Sequence, residues 1–331
     1  MKALGRIIGI LLLLVIVVVG AGFFLLPKVA TKTETVDIPK PAATVYALLA
    51  NTPVAGETVG EGVTQKFKAA TPPDTVVFDL AYADGTTGEA TYKVAAAGDK
   101  ASKVTLTLTK PVGDDPMMRI SALSGEPAAP VLASATQSLK SNADQLNGEP
   151  LTGLAYDVVT IAAQPYIFTV GASPQNPSEI KEAVGQALAL VDVLVKRTGA
   201  QIDGAPIAVE TAWEDDTYKF TAGWRIKGTP PKIYAGGVQT GQSPGGTAIK
   251  VLYRGTEDQV IPTYDKMEDL VRAAHQKLGA SFEVYNDDPT KPGGSVDREI
   301  YYLVEGTPAD VTAALSKILA PTPSAPALPT P

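Results

Sequence analysis

One pattern occurs twice in this chain, and it restricts the fold more than any other feature. Residues 179–197 place Ile180, Val184, Ala187, Leu188, Val191, Leu194 and Val195 at helical spacing, with Ser178 in position to cap the start. The run ends in Lys-Arg-Thr-Gly-Ala, so Gly199 falls where a helix C-terminus takes a left-handed residue. Residues 264–278 repeat the pattern through Met267, Leu270, Val271, Ala274 and Leu278. They end in Gln-Lys-Leu-Gly-Ala, which makes Gly279 the matching cap, 80 residues after Gly199. A strand precedes each helix, at 165–171 and 248–255. A strand pair follows each, at 207–212 with 218–226 and at 282–285 with 298–304. A strand–helix–strand–strand unit used twice predicts one shared sheet under two helices, with a ligand cleft at the junction.

Composition narrows the chemistry. The 331 residues contain no Cys and one His, His275, which excludes disulfides, thiolate nucleophiles, Cys-based metal sites and any site needing two imidazoles. His275 sits at the margin of an apolar helix face, where a structural role is expected. A net charge of −7 argues against binding a phosphate backbone, so nucleic acid is not an expected partner. The Gly-rich stretch 241–246 lacks the Lys-Ser/Thr ending of a phosphate loop and reads as the linker between the repeats. No metal or cofactor is expected. Carboxylate, hydroxyl and aromatic side chains are left to carry the function.

Residues 7–26 form an uncharged apolar run of twenty, enough for a helix to span a bilayer core of ~30 Å. A cleaved signal peptide is the rival reading, but its apolar region is usually only ~7–15 residues. The expectation is an uncleaved single-pass anchor in a bacterial inner membrane, with the body on the periplasmic-type face. Basic residues flank both sides of the run, so charge counting alone does not set the orientation. At the other end, 306–331 should hold a short helix and an extended Pro-rich tail.

Between these ends, residues 33–38 alternate as a strand and are followed by a short helix beginning at Pro41. Strand patterns then cover 63–69, 75–82, 86–96 and 103–109, with Asp84-Gly85 at a hairpin turn. A helical pattern through Val131, Leu132, Ala135, Leu139, Asn142 and Leu146 closes the segment. This order, with the text IPKPAATVYALL, resembles the helix-grip fold of the SRPBCC (START and polyketide-cyclase-like) superfamily. The second half contains GAPIAVETAWEDDTYKFTAGWRI, VLYRGTEDQVIPTYDKMEDLV and LGASFEVYNDDP. It resembles the GyrI-like, SOUL-like effector-binding module, the small-molecule receptor also attached to AraC-type regulators. The resulting expectation is an α+β chain with four parts: an anchor (1–29), a helix-grip-like domain (30–148), a duplicated effector-binding domain (151–305) and a tail (306–331).

The GyrI-like resemblance implies that Glu283 lies at the bottom of a pocket and meets a cationic ligand. Tyr285 shares its face, because strand side chains alternate with period two. Trp213, Trp224, Tyr253 and Tyr301 are the candidate aromatic walls. In the repeat alignment Ala208 takes the place of Glu283, so the carboxylate is not duplicated. Glu210 then falls against Tyr285, either as a second acidic wall or in solvent. The leading expectation is a membrane-anchored receptor for an amphipathic or cationic small molecule, without a DNA-binding domain. Two other readings remain open: a small-molecule hydrolase using a pocket Glu, and an envelope protein that makes contacts only.

Overall fold

The computed structural model describes residues 25–52, 57–60, 62–151, 153–230, 236–287 and 296–316. The apolar run at 7–26 lies outside the described residues as far as Phe24, as does the Pro-rich tail. Among the described residues no helix is long and apolar enough to cross a membrane. The chain is α+β, with two antiparallel sheets. The described residues divide into two compact units: those up to residue 42 with 52–144, and 43–51 with those from 145 onward.

The first unit is built on six strands: β1 (Val29–Ile38), β2 (Glu57–Thr58), β3 (Val63–Thr71), β4 (Thr75–Tyr82), β5 (Thr87–Ala96) and β6 (Ser102–Pro111). Their order is β1-β6-β5-β4-β3-β2, so after β1 the sheet is a simple meander. Alternation drives its burial. On β4, Val76, Phe78, Leu80 and Tyr82 point inward while Asp79 faces water. Phe78 packs edge-on against Phe67 and Tyr92, at 6.1 and 5.4 Å between ring centroids. Helix α3 (Ala129–Asp144) buries Leu132, Ala135, Leu139 and Ala143 against β1 and β6. The short helix α2 (Pro116–Ala122), which the hydrophobic pattern did not predict, starts at Asp115. The Asp115 carboxylate accepts from the backbone N–H groups of Met117 and Met118.

The short helix α1 (Ala42–Ala50) does not stay with the strand that precedes it. Ala47 joins the core of the second unit with Ile249, Val251, Met267 and Leu270. Asn51 donates to the Ala273 carbonyl at 3.1 Å, and a ring nitrogen of His275 lies 2.6 Å from the Leu48 carbonyl. The chain thus leaves the first unit for nine residues, Ala43–Asn51, and returns to it, which a reading by sequence adjacency does not anticipate.

In the second unit the repeat is realised as a pseudo-symmetric sheet. The first copy is β8 (Pro165–Pro174), α4 (Pro177–Thr198), β9 (Ile207–Glu214) and β10 (Thr217–Arg225). The second is β12 (Gly246–Gly255), α5 (Ile261–Ala273), β13 (Leu278–Tyr285) and β14 (Val296–Val304). The order β11-β8-β10-β9-β13-β14-β12-β7 places β9 and β13 side by side at the centre. The edge strands β7 (Asp157–Ile161) and β11 (Val238–Gln242) lie outside the two repeat units that the pattern marks. Helix α6 (Pro308–Ser316) follows the second copy.

Two cap assignments change. Asn176, one residue before Pro177, caps α4 by accepting from the N–H groups of Ser178 and Glu179, so Ser178 is inside the helix. Gly199 is the left-handed C-cap at φ 70°. Gly279 is not its counterpart. Helix α5 stops at Ala273, and His275 takes the left-handed conformation at φ 51°. Leu278 already pairs with Val304, and Gly279 lies within β13. There a Cβ would approach the Leu303 carbonyl oxygen to 2.9 Å. Glycine at 279 therefore serves strand proximity.

Gly223 shows how tightly β10 and β8 are joined. A Cβ there would stand 1.9 Å from the Ile167 carbonyl oxygen and 2.7 Å from the Phe168 Cα. Both neighbours are backbone and cannot rotate away. Gly223→Ala should cost ~3 kcal/mol or more, at the upper end for overpacking, and should lower the melting temperature by several degrees. An unchanged melting curve would contradict this packing.

Candidate functional site

A cavity of about 360 Å³ lies in the second unit, bordered by residues of both repeats. The strands supply Glu210 and Trp213 (β9), Tyr218 (β10), Glu283 (β13), and Arg298 and Tyr302 (β14). Helix α5 supplies Ile261, Tyr264, Asp265 and Glu268, while Pro177 and Ile180 come from the first turn of α4. Glu257 and Val260 border it from the turn before α5, and Asn147 from the segment entering the unit. Asn147 is held by Asp269, whose fully buried carboxylate accepts from the N–H groups of Asn147 and Gly148 at 2.6 and 2.7 Å.

A triad of charges forms the floor. The side chain of Arg298 is 2% exposed, a costly state for a cation unless it is paired. Its guanidinium donates to Glu283 at 3.1 Å and to Glu257 at 2.5 Å and lies 4.6 Å from the centroid of the Tyr285 ring. Burial opposes its charge, but the carboxylates of Glu283 and Glu257 override that and hold its pKa above the ordinary value. Glu283 also accepts from the Tyr264 hydroxyl at 2.5 Å. Burial, reinforced by the charge of Glu283, pushes the Tyr218, Tyr264 and Tyr285 phenols well up, so all three stay protonated as donors.

Glu210 and Glu268 line the cavity apart from this triad. Glu210 is half-buried and accepts from Ser281 at 3.1 Å. Burial raises its carboxyl pKa, the Ser281 hydrogen bond works the other way, and the charges of Glu268 and Glu283 raise it further. Glu268 accepts from the Tyr302 hydroxyl at 3.0 Å and lies 3.7 Å from Arg272. Trp213, half exposed at the rim, packs edge-on against Tyr218 at 5.5 Å.

Of the six residues expected here, Glu283 and Trp213 border the cavity. Tyr285 has the right parity but lies one layer deeper, in a core with Val184, Leu188 and Phe220. Tyr253 is buried beneath α5, and its hydroxyl donates to the Thr256 carbonyl at 2.6 Å. Trp224 packs into the apolar clusters under α4. Tyr301 is on the opposite face of the sheet, because β14 turns Arg298, Ile300 and Tyr302 toward the helices and the odd positions away. Glu283 meets an internal cation where a ligand cation was expected. Glu210 lies in the cavity beside Ser281, away from Tyr285.

Trp213 reaches the rim through a β-bulge. Glu210 pairs with Phe220, yet Ala212 pairs with Lys219, which leaves Thr211 as an extra residue. That insertion puts Glu210 and Trp213 on one face, against simple alternation. Sequence reasoning missed Glu257, Tyr264, Glu268, Arg298 and Tyr302. One signal was available for α5, since Ile261, Tyr264, Asp265 and Glu268 form a stripe at helical spacing. Another was Arg298, a charge on the same strand face as Ile300 and Tyr302. Among the described residues no group of His, Asp or Glu is arranged to hold a metal ion.

No protein-family model matches the chain, and no curated protein matches it. Among solved structures, the C-terminal domain of EcmrR aligns over 47% of this chain and 100% of its own, at 15% identity and a TM-score of 0.40. An EcmrR–DNA complex aligns over 58% of this chain and 70% of that one, at 14% identity and 0.40. A hydrolase from Listeria innocua covers 45% and 91%, at 13% identity and 0.33. Likenesses of this size carry no argument about what the chain does.

Glu210 allows a direct check on the electrostatics. Its folded pKa is raised above the unfolded value of ~4.3, so its stabilising contribution is complete below that value and is lost as pH rises through the folded value. Glu210→Gln mimics the protonated form. It should therefore raise the melting temperature at pH 7 and leave it nearly unchanged at pH 4. A shift of equal size at both pH values would assign the effect to packing instead of charge.

Proposed function

We propose that the second unit is a receptor for an amphipathic organic cation, carried by a chain anchored in a membrane through residues 7–26. One observation carries the binding reading: five carboxylates (Glu210, Glu257, Asp265, Glu268 and Glu283) line the cavity against a single guanidinium, Arg298. The lining thus holds more carboxylates than cations, in a space bounded by Trp213, Tyr218, Tyr264 and Tyr302, with Arg272 pairing Glu268 from outside it. Aromatic faces attract a ligand cation by ~0.5–2 kcal/mol per contact, and the apolar wall of Ile180, Val260 and Ile261 suits its hydrocarbon part. Glu257 and Glu283 are matched internally by Arg298, and Glu268 is paired from behind by Arg272, so the ligand charge is met at Glu210, beside Trp213.

The duplicated unit and its GyrI-like text support an effector-binding module. The length and apolarity of residues 7–26 support a single-pass anchor, with the module on the periplasmic-type face of a bacterial inner membrane. On this reading the chain partitions with membranes and withstands a carbonate wash; recovery in the soluble fraction would remove the anchor.

For the receptor, the probe is benzyltriethylammonium, whose charge does not change with pH. A bound cation favours ionised Glu210, so affinity should rise as pH increases through the raised carboxyl pKa. Glu210→Gln should weaken binding about tenfold, equivalent to ~1.4 kcal/mol, and flatten the pH profile. Calorimetric titration of the full chain in uncharged detergent reads both effects. Absence of binding, or equal binding of the isostere with carbon in place of nitrogen, would remove the receptor reading.

A further inference from the structure

The sheet of the second unit has another face. Phe282 and Val284 of β13 and Tyr301 of β14 point away from the helices and join Tyr166, Ile207, Val209 and Ala248 in a separate buried cluster. The Phe282 and Tyr301 rings stack at 4.6 Å with 3° between their planes. A second cavity of about 310 Å³ opens here, bordered by this aromatic pair, by Val159, Thr160 and Ile161 of β7, and by Arg225 and Lys250. Its volume lies at the lower end of the ~300–1,000 Å³ common for ligand cavities.

The two cations of this cavity differ. Lys250 is paired with Glu299 at 3.1 Å. Arg225, on the last position of β10, makes no ion pair and no side-chain hydrogen bond among the described residues, and its Nε is buried without a partner. The nearby carboxylates are already engaged. Glu299 attracts Arg225 at longer range, but its oxygens are taken up by Lys250 and, at 2.6 Å, by the Tyr301 hydroxyl. Asp203 accepts from Gln164 at 2.8 Å and lies 3.8 Å from Lys227. A half-buried guanidinium is expensive to leave unmatched, and its planar fork fits a carboxylate with two parallel hydrogen bonds. The nearly buried Phe282 and Tyr301 rings and the Val159–Ile161 wall supply a small apolar surface beside it, wide enough for the edge of a ring.

We infer that this cavity is a second ligand site, for a small aromatic carboxylate, with Arg225 as its anion-binding residue. It occupies the opposite face of the sheet from the acidic cavity and takes the opposite charge, so it stands independently of the cation-receptor reading.

The test uses benzoate as the probe and benzamide as its uncharged counterpart, titrated by saturation-transfer NMR into the full chain in uncharged detergent. Benzoate should bind saturably, with benzamide at least tenfold weaker. Arg225→Gln should weaken benzoate at least tenfold while the melting transition is retained. Thr160→Trp, which plugs the mouth and leaves Arg225 in place, should also block binding, and it decides the matter if Arg225→Gln does not fold. Lack of saturable benzoate binding, equal affinity for benzamide, or undiminished binding in the folded variants would overturn the site.

Discussion

The charge of Arg298 is the constraint around which the second unit is arranged. A guanidinium with a 2% exposed side chain requires counter-charges, and it finds them in Glu283 on the neighbouring strand and Glu257 in the turn that starts α5. A buried ion pair of this kind contributes little net stability, since desolvation offsets much of the Coulomb attraction. Its effect is geometric. It fixes the position of that turn relative to the sheet, orients the Tyr264 hydroxyl through Glu283, and lays a cation over the Tyr285 ring. The floor of the acidic cavity is therefore electrostatically closed, and among the described residues the carboxylate without a cation partner is Glu210.

The rest of the unit follows from a sheet that buries both faces. Period-two alternation sends Arg298, Ile300 and Tyr302 toward the helices and Glu299 and Tyr301 to the other side. Each face has its own apolar cluster and its own cavity, one rich in carboxylates and one holding an unpaired arginine. Separation by one layer of strands keeps opposite charges from neutralising each other. A single sheet can in this way present two chemically opposite sites.

Much of this was legible in the chain. The strand–helix–strand–strand unit was readable twice because apolar periodicity reports burial directly, and the helices and most of the strands appear where that periodicity places them. Edge strand β11, VQTGQ, carries little apolar signal, whereas β7, DVVTI, carries a short apolar run that the repeat pattern did not include. The end of α5 was misread because glycine at 279 is consistent with both a cap and a close strand contact, and only the pairing of Leu278 with Val304 distinguishes them. Helix α1 was assigned to its sequence neighbours, whereas Ala47 and Asn51 make their contacts more than two hundred residues away.

By itself, the sequence determined the residue chemistry and the local periodicity: no thiols, one imidazole, an excess of carboxylates, and a duplicated unit that has to share one sheet. Tertiary structure decided which of those carboxylates face one another. The sequence placed Glu283 on a strand and only the GyrI-like resemblance put it at a pocket floor, while its partner Arg298 depends on the register between β13 and β14, and Trp213 depends on one inserted residue at Thr211. Register and bulges are set by long-range hydrogen bonding and packing, which a one-residue shift inverts, so periodicity along the chain does not encode them.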